Sequence, residues 1–84
     1  MPIRVELTYD MAKVAGVDSL SIEAAGTLAQ LIDEAGQRLG PDFRDQVPHA
    51  MVAINGVLAK YQRGARTRLS DGDTVSFFKA AAGG

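Results

Sequence analysis

TLAQLIDEAGQRLG, residues 27–40, is where the hydrophobic period changes, and that change decides the fold. Leu28, Leu31, Ile32, Ala35 and Leu39 recur at helical spacing and form one apolar stripe. Thr27, with Gln30 three positions on, has the form of a capping box, in which the two side chains satisfy otherwise unpaired N-terminal amides. Gly40 followed by Pro41 ends the helix: glycine accepts a left-handed cap and proline does not continue the turn. Gly36 inside the helix costs ~1 kcal/mol relative to alanine. DFRDQV after it has the pattern of a further helical turn, with Phe43 and Val47 inward.

On either side of this helix the period is two. IRVELTY alternates with Ile3, Val5, Leu7 and Tyr9 on one face and Arg4, Glu6 and Thr8 on the other, the pattern of a half-buried strand. DMAKVAGV interrupts it, with Gly16 suited to a turn, and SLSIE resumes the alternation as a second strand hairpin-paired with the first. MVAINGVLA carries Asn55-Gly56, the preferred pair for a two-residue type I′ turn, in which both residues need positive φ. That turn sets Ile54 opposite Val57 on the face shared with Val52, and Ala53 opposite Leu58 on the other face. KYQRGARTRLSDGD connects to TVSFF, where Val75 and Phe77 share one face and Ser76 and Phe78 the other. One main helix must then cover one face of a mixed four- to five-stranded sheet, an α+β roll of the β-grasp, ubiquitin-like type. The domain spans residues 1–79, with residues 80–84 as a flexible Gly-Gly tail.

Bulk properties narrow the function. A chain of 84 residues with net charge −1 implies no general affinity for nucleic acid or an acidic membrane. With no cysteine and a single histidine, His49, the expectation is a domain held by packing in a reducing cytoplasm, without a multi-histidine metal site. The N-terminus alternates rather than resembling a targeting segment, and the longest apolar run, Ala50 to Ile54, is too short to span a bilayer.

Candidate chemistry is sparse. A calcium loop opening at Asp71 needs glycine at its sixth position and glutamate at its twelfth, where Ser76 and Ala82 stand, so DGD reads as a turn. The glycines fit no phosphate-binding spacing after a strand. Lys60, Arg63, Arg66 and Arg68 suit an acidic partner or RNA, but with Tyr61 the one accompanying aromatic they weigh more as a solvated loop.

Two features point to interaction. If the helix covers Val52, Ile54, Val75 and Phe77, then Leu58 and Phe78 face solvent with Ala53, a patch of the kind a partner protein uses. After Lys79 the chain reads AAAGG, without the charge and polarity of ordinary disordered tails. Glycine main chain passes through channels too narrow for side chains. The group so delivered is the Gly84 carboxylate, which an enzyme holding ATP can adenylate, opening it to attack by sulfur or an amine.

The NGVL hairpin, LSDGDTVSFF leading into the last strand, and the C-terminal GG resemble the MoaD/ThiS family of ubiquitin-like sulfur carriers over the whole chain. The resemblance implies a non-enzymatic carrier whose Gly84 becomes an acyl adenylate and then a thiocarboxylate. Gly83 and Ala82 then thread the partner's channel, while Phe78, Leu58, Ala53 and Lys79 form the partner-binding patch. It implies no bound cofactor, ATP being used by an E1-like adenylating enzyme, and a sulfur-accepting large subunit or synthase as second partner. Length and the FF pair are most similar to the small subunit of molybdopterin synthase. Carriers for cysteine or other thiocarboxylate pathways, and ubiquitin-like protein modifiers, are the alternatives.

Overall fold

The computed structural model describes residues 1–79. The strands are β1 (Ile3–Leu7), β2 (Ser19–Ile22), β3 (Ala50–Ile54), β4 (Val57–Leu58) and β5 (Thr74–Lys79); the helices are α1 (Tyr9–Ala15), α2 (Leu28–Leu39) and α3 (Pro41–Gln46). The sheet order is β2-β1-β5-β3-β4. β1 and β5 run parallel at its centre, and every other neighbouring pair is antiparallel. This is the β-grasp arrangement expected from the sequence.

All three helices contribute to one core on one face of the sheet. Met11 from α1, Leu28, Leu31 and Ala35 from α2, and Phe43 from α3 pack with Ile3, Val5, Leu7, Ile22, Ile54, Val75 and Phe77 from the strands. Phe43 and Phe77 meet edge to face, ring centroids 5.5 Å apart at 71°, the geometry that sets a ring's positive edge against its neighbour's negative face. Val47 is half-buried against this core, so the inward placement of Phe43 and Val47 holds.

Both ends of α2 follow from local chemistry. Gln30 N–H donates to Thr27 Oγ1 at 3.3 Å, while Gln30 Oε1 accepts from Gly26 N–H at 2.7 Å, one residue before the expected cap amide. Gly40 ends the helix at φ 95°, its N–H donating to Gly36 O. Gly36 owes its place to a close approach: a Cβ built there falls 2.8 Å from Cγ of Arg44, whose side chain lies across the helix from α3.

Five expectations need correction. β1 ends at Leu7, because the chain turns at Tyr9 (φ 32°) into α1; Tyr9 is 92% exposed instead of continuing the inward row. The segment after it is a seven-residue helix rather than an interruption, closed by Gly16 in the left-handed region and anchored by Met11. β1 and β2 do pair, in register from Ile3 opposite Ile22 to Glu6 opposite Ser19, but a helix rather than a tight turn joins them. At the far edge Val57 stands opposite Ile54 as the turn requires, yet it is half exposed, because β4 is a two-residue edge strand with no further strand beyond it. Ala53 is buried rather than solvent-facing: its short side chain sits in the ladder between Leu58 and Ser76.

The stretch between β4 and β5 is ordered more tightly than a bare connection. It forms 3₁₀ turns at Ala59–Tyr61 and Gly64–Arg66. It is tied to the start of α2 by Leu28 N–H to Thr67 O at 2.9 Å and Leu69 N–H to Gly26 O at 3.1 Å. Thr67 is buried, and its Oγ1 accepts from Arg63 N–H.

Candidate functional site

The face of the sheet away from the helices divides into two halves. Over β1 and β2 it is polar, with Arg4, Glu6, Ser19 and Ser21, and Arg4 Nε pairs with Glu6 Oε1 at 3.0 Å. Over β3, β4 and the end of β5 it is apolar. Met51 stands opposite Phe78 and Leu58 opposite Ala53, all alternating with the inward-facing Val52, Ile54, Val75 and Phe77. The separation of Phe77 from Phe78 is thus a consequence of strand geometry: neighbours along a strand take opposite faces, so Phe77 is sealed in the core and Phe78 remains half exposed.

The sequence-predicted site residues fall as follows. Phe78 and Leu58 lie on this face, half-buried, with the buried Ala53 forming its floor. Lys79 is exposed at the last position of β5, opposite Ala50, with Nζ 3.9 Å from Asp10 Oδ2 at the start of α1. Ala82, Gly83 and Gly84 lie outside the described residues. Met51 is the member that sequence reasoning missed. The alternation that assigned Val52 and Ile54 inward already placed Met51 with Ala53, so the signal was present.

The end of β5 is held in place from both sides. β3 pairs with it through Ala50–Lys79, and from the β1 side Thr8 N–H donates to Phe77 O at 3.2 Å. The apolar half therefore adjoins a fixed departure point for the residues after Lys79. An apolar patch of this kind, rimmed by exposed polar groups, is suited to docking a protein surface.

The DGD segment is a structural turn. Asp73 Oδ2 accepts from Ser70 N–H at 2.7 Å and Asp73 Oδ1 from Asn55 Nδ2 at 3.0 Å, while Asn55 Oδ1 accepts from Thr74 N–H at 2.9 Å. Its carboxylate is thereby committed to joining this turn to the β3–β4 hairpin. No group of three or more potential metal ligands occurs among the described residues. His49 is exposed at the end of a 3₁₀ turn. No helix among the described residues is long and apolar enough to cross a membrane.

Comparison with known proteins accords with this geometry. Residues 8–84 match the family model described as the ThiS family. Curated protein sequences give no match. Among solved structures, SAMP1 from Haloferax volcanii is similar at TM-score 0.83 and 22% identity, covering 100% of both chains. The Amycolatopsis orientalis BexX/CysO complex matches at TM-score 0.84 and 20% identity, over 98% of this chain and 99% of that one. A Pyrococcus furiosus protein described as molybdopterin converting factor subunit 1 matches at TM-score 0.77 and 21% identity, over 96% and 99%. These likenesses carry the fold, and the family match spans nearly the whole chain: the protein belongs to the ThiS family of small ubiquitin-like carrier and modifier proteins.

Proposed function

We propose that the protein is a sulfur carrier whose working group is the Gly84 carboxylate, with molybdopterin synthesis as the pathway served. The carrying observation is the apolar half-face of Met51, Leu58 and Phe78 beside the last residue of β5, in a chain whose family match extends to Gly84. The folded body supplies no acid–base pair or nucleophile to this scheme. It presents a docking surface and holds the origin of the tail. Five residues after Lys79 reach at most about 17 Å when extended, enough for small side chains to enter a partner's cleft.

The chemistry runs in two balanced steps on an E1-like partner. A carboxylate oxygen of Gly84 attacks the α-phosphorus of ATP and pyrophosphate leaves, giving the acyl adenylate. Hydrosulfide then attacks the acyl carbon and AMP leaves, giving the thiocarboxylate. A sulfur-accepting large subunit takes up the sulfur in the following reaction. The assignment to molybdopterin rests on the length and the Phe77-Phe78 pair, and on the fold shared with the P. furiosus protein.

The test is intact-mass measurement after incubation with an adenylating enzyme, ATP and sulfide. The mass gain of one oxygen-to-sulfur exchange at the C-terminus supports the carrier. Lysine-linked adducts in place of that gain indicate a protein modifier, and full biological activity without Gly83 and Gly84 overturns both.

A further inference from the structure

From Gln46 to Ser70 the sequence has no carboxylate, although the chain as a whole carries net charge −1; Lys60, Arg63, Arg66 and Arg68 all fall within this stretch. None of the four takes part in an ion pair among the described residues. Arg63, Arg66 and Arg68, with Gln62 and Thr67, line a concavity of about 620 Å³. The backbone that carries them is pinned to α2 through Thr67 and Leu69, so the cationic surface is presented on a fixed frame.

Beside it runs a second concavity of about 670 Å³ and opposite character, which wraps the edge of β3 from α2, lined by Leu28, Ile32, Val52 and Ala65 and reaching Met51 and Leu58 of the apolar outer face. The two adjoin at the Gly64–Arg66 turn: Gly64 and Ala65 line the apolar groove, and Arg66 the cationic one. β4 pairs in register only with Ala53 and Ile54, so Ala50–Val52 have no strand partner on that side of β3 among the described residues. A short unpaired strand edge next to an apolar groove is a site for an added extended segment, whose main chain follows the edge while alternate side chains enter the groove.

We propose that this flank docks an extended segment of a partner protein, apolar at alternate positions where it lies along Ala50–Val52 and acidic where it reaches Arg63, Arg66 and Arg68. The acidic character follows from the cationic rim, which lacks carboxylates of its own. The apolar half of the site favours a peptide over a nucleic acid, because Tyr61 is the one aromatic residue accompanying the arginines. This docking is separate from the terminal carboxylate chemistry, since a chain ending at Ala82 retains both concavities.

The experiment selects a displayed library of random peptides on the full-length chain. The strongest binder is then measured against wild type, Arg63→Glu/Arg66→Glu, and the chain lacking Gly83-Gly84. Enriched peptides are expected to combine alternating apolar residues with Asp or Glu, and to shift the amide resonances of residues 50–52 and 58–66. Charge reversal at the two exposed arginines should weaken binding about tenfold or more, with the amide spectrum otherwise retained. Removal of the two glycines should leave binding unchanged, which separates this inference from the carrier reading. The proposal is overturned by failure to enrich, by enrichment of basic peptides, by shifts confined to other surfaces, or by affinity unaltered on charge reversal. Tighter binding of an oligouridylate than of the selected peptide overturns it in favour of RNA.

Discussion

Phe78 and Met51 face each other across the β5–β3 ladder on the side of the sheet that carries no helix, while Phe77, one residue earlier, packs edge-on against Phe43 in the core. Two adjacent phenylalanines thus have separable roles. Phe77→Ala removes a fully buried ring and its aromatic partner contact, and should cost about 3–5 kcal/mol of stability in denaturant titration. Phe78→Ala should cost far less stability, but should weaken binding to the activating enzyme by about 1–3 kcal/mol, as loss of an interface anchor does. Met51→Ala should behave like Phe78→Ala. Equal stability losses at Phe77 and Phe78 would refute the division of faces.

Gly36 supplies a second test, because helix propensity and packing oppose each other there. Alanine in a helix interior is ordinarily better than glycine by ~1 kcal/mol. At this position the added methyl meets the Arg44 side chain at Nε, Cγ and Cδ. Gly36→Ala alone should therefore fail to stabilise. In the Arg44→Ala background, where the obstruction is gone, the same change should gain about 1 kcal/mol. Thermal unfolding of the four members of this cycle decides it, and a gain from Gly36→Ala in the wild-type background would show that Arg44 yields freely.

How far the sequence disclosed this structure depends on how local each determinant is. α2, the Asn55-Gly56 turn and the alternation in β3 and β5 were legible because cap, turn and period all lie within a few residues of one another. α1 was not. Only Met11 in it is fully buried, its N-cap Thr8 makes no side-chain capping bond, and the period-two run reaching Tyr9 overlaps its first turn. The burial of Ala53 and the exposure of Val57 were equally hidden, since both depend on where the sheet ends rather than on which way a side chain points. The outward placement of Leu58 and Phe78 was legible from alternation, whereas the division of the outer sheet face into a polar and an apolar half depends on the pairing of β1 with β5.

The link between the β3–β4 turn and the Asp71–Asp73 turn rests on two side chains, Asn55 and Asp73. Asn55→Gly preserves the positive φ the turn needs while removing both side-chain hydrogen bonds. It should destabilise by about 1 kcal/mol, the net worth of such bonds at an exposed site. Asp73→Ala should cost about 1–2 kcal/mol, because it frees Ser70 N–H as well as Asn55 Nδ2. The double variant should lose less than the two single losses combined, since they share one bond. Strict additivity would mean that the Asn55–Asp73 contact contributes nothing in solution.

The terminal carboxylate proposal makes the sharpest demand on length. An adenylating partner must bring the carboxyl carbon to the α-phosphorus of ATP, and a displacement of even one residue removes it from attack geometry. Adding a single leucine after Gly84 should abolish adenylation, read as ATP–pyrophosphate exchange, while leaving binding through Phe78 and Leu58 nearly intact. Replacing Gly83 with valine tests the channel separately: the carboxylate stays at the same chain position, but the β-branched side chain must pass wherever glycine passed, so exchange should fall by at least about tenfold with folding unchanged. Unaltered exchange in the leucine-extended chain would remove the Gly84 carboxylate from the mechanism, whatever the partner face contributes to binding.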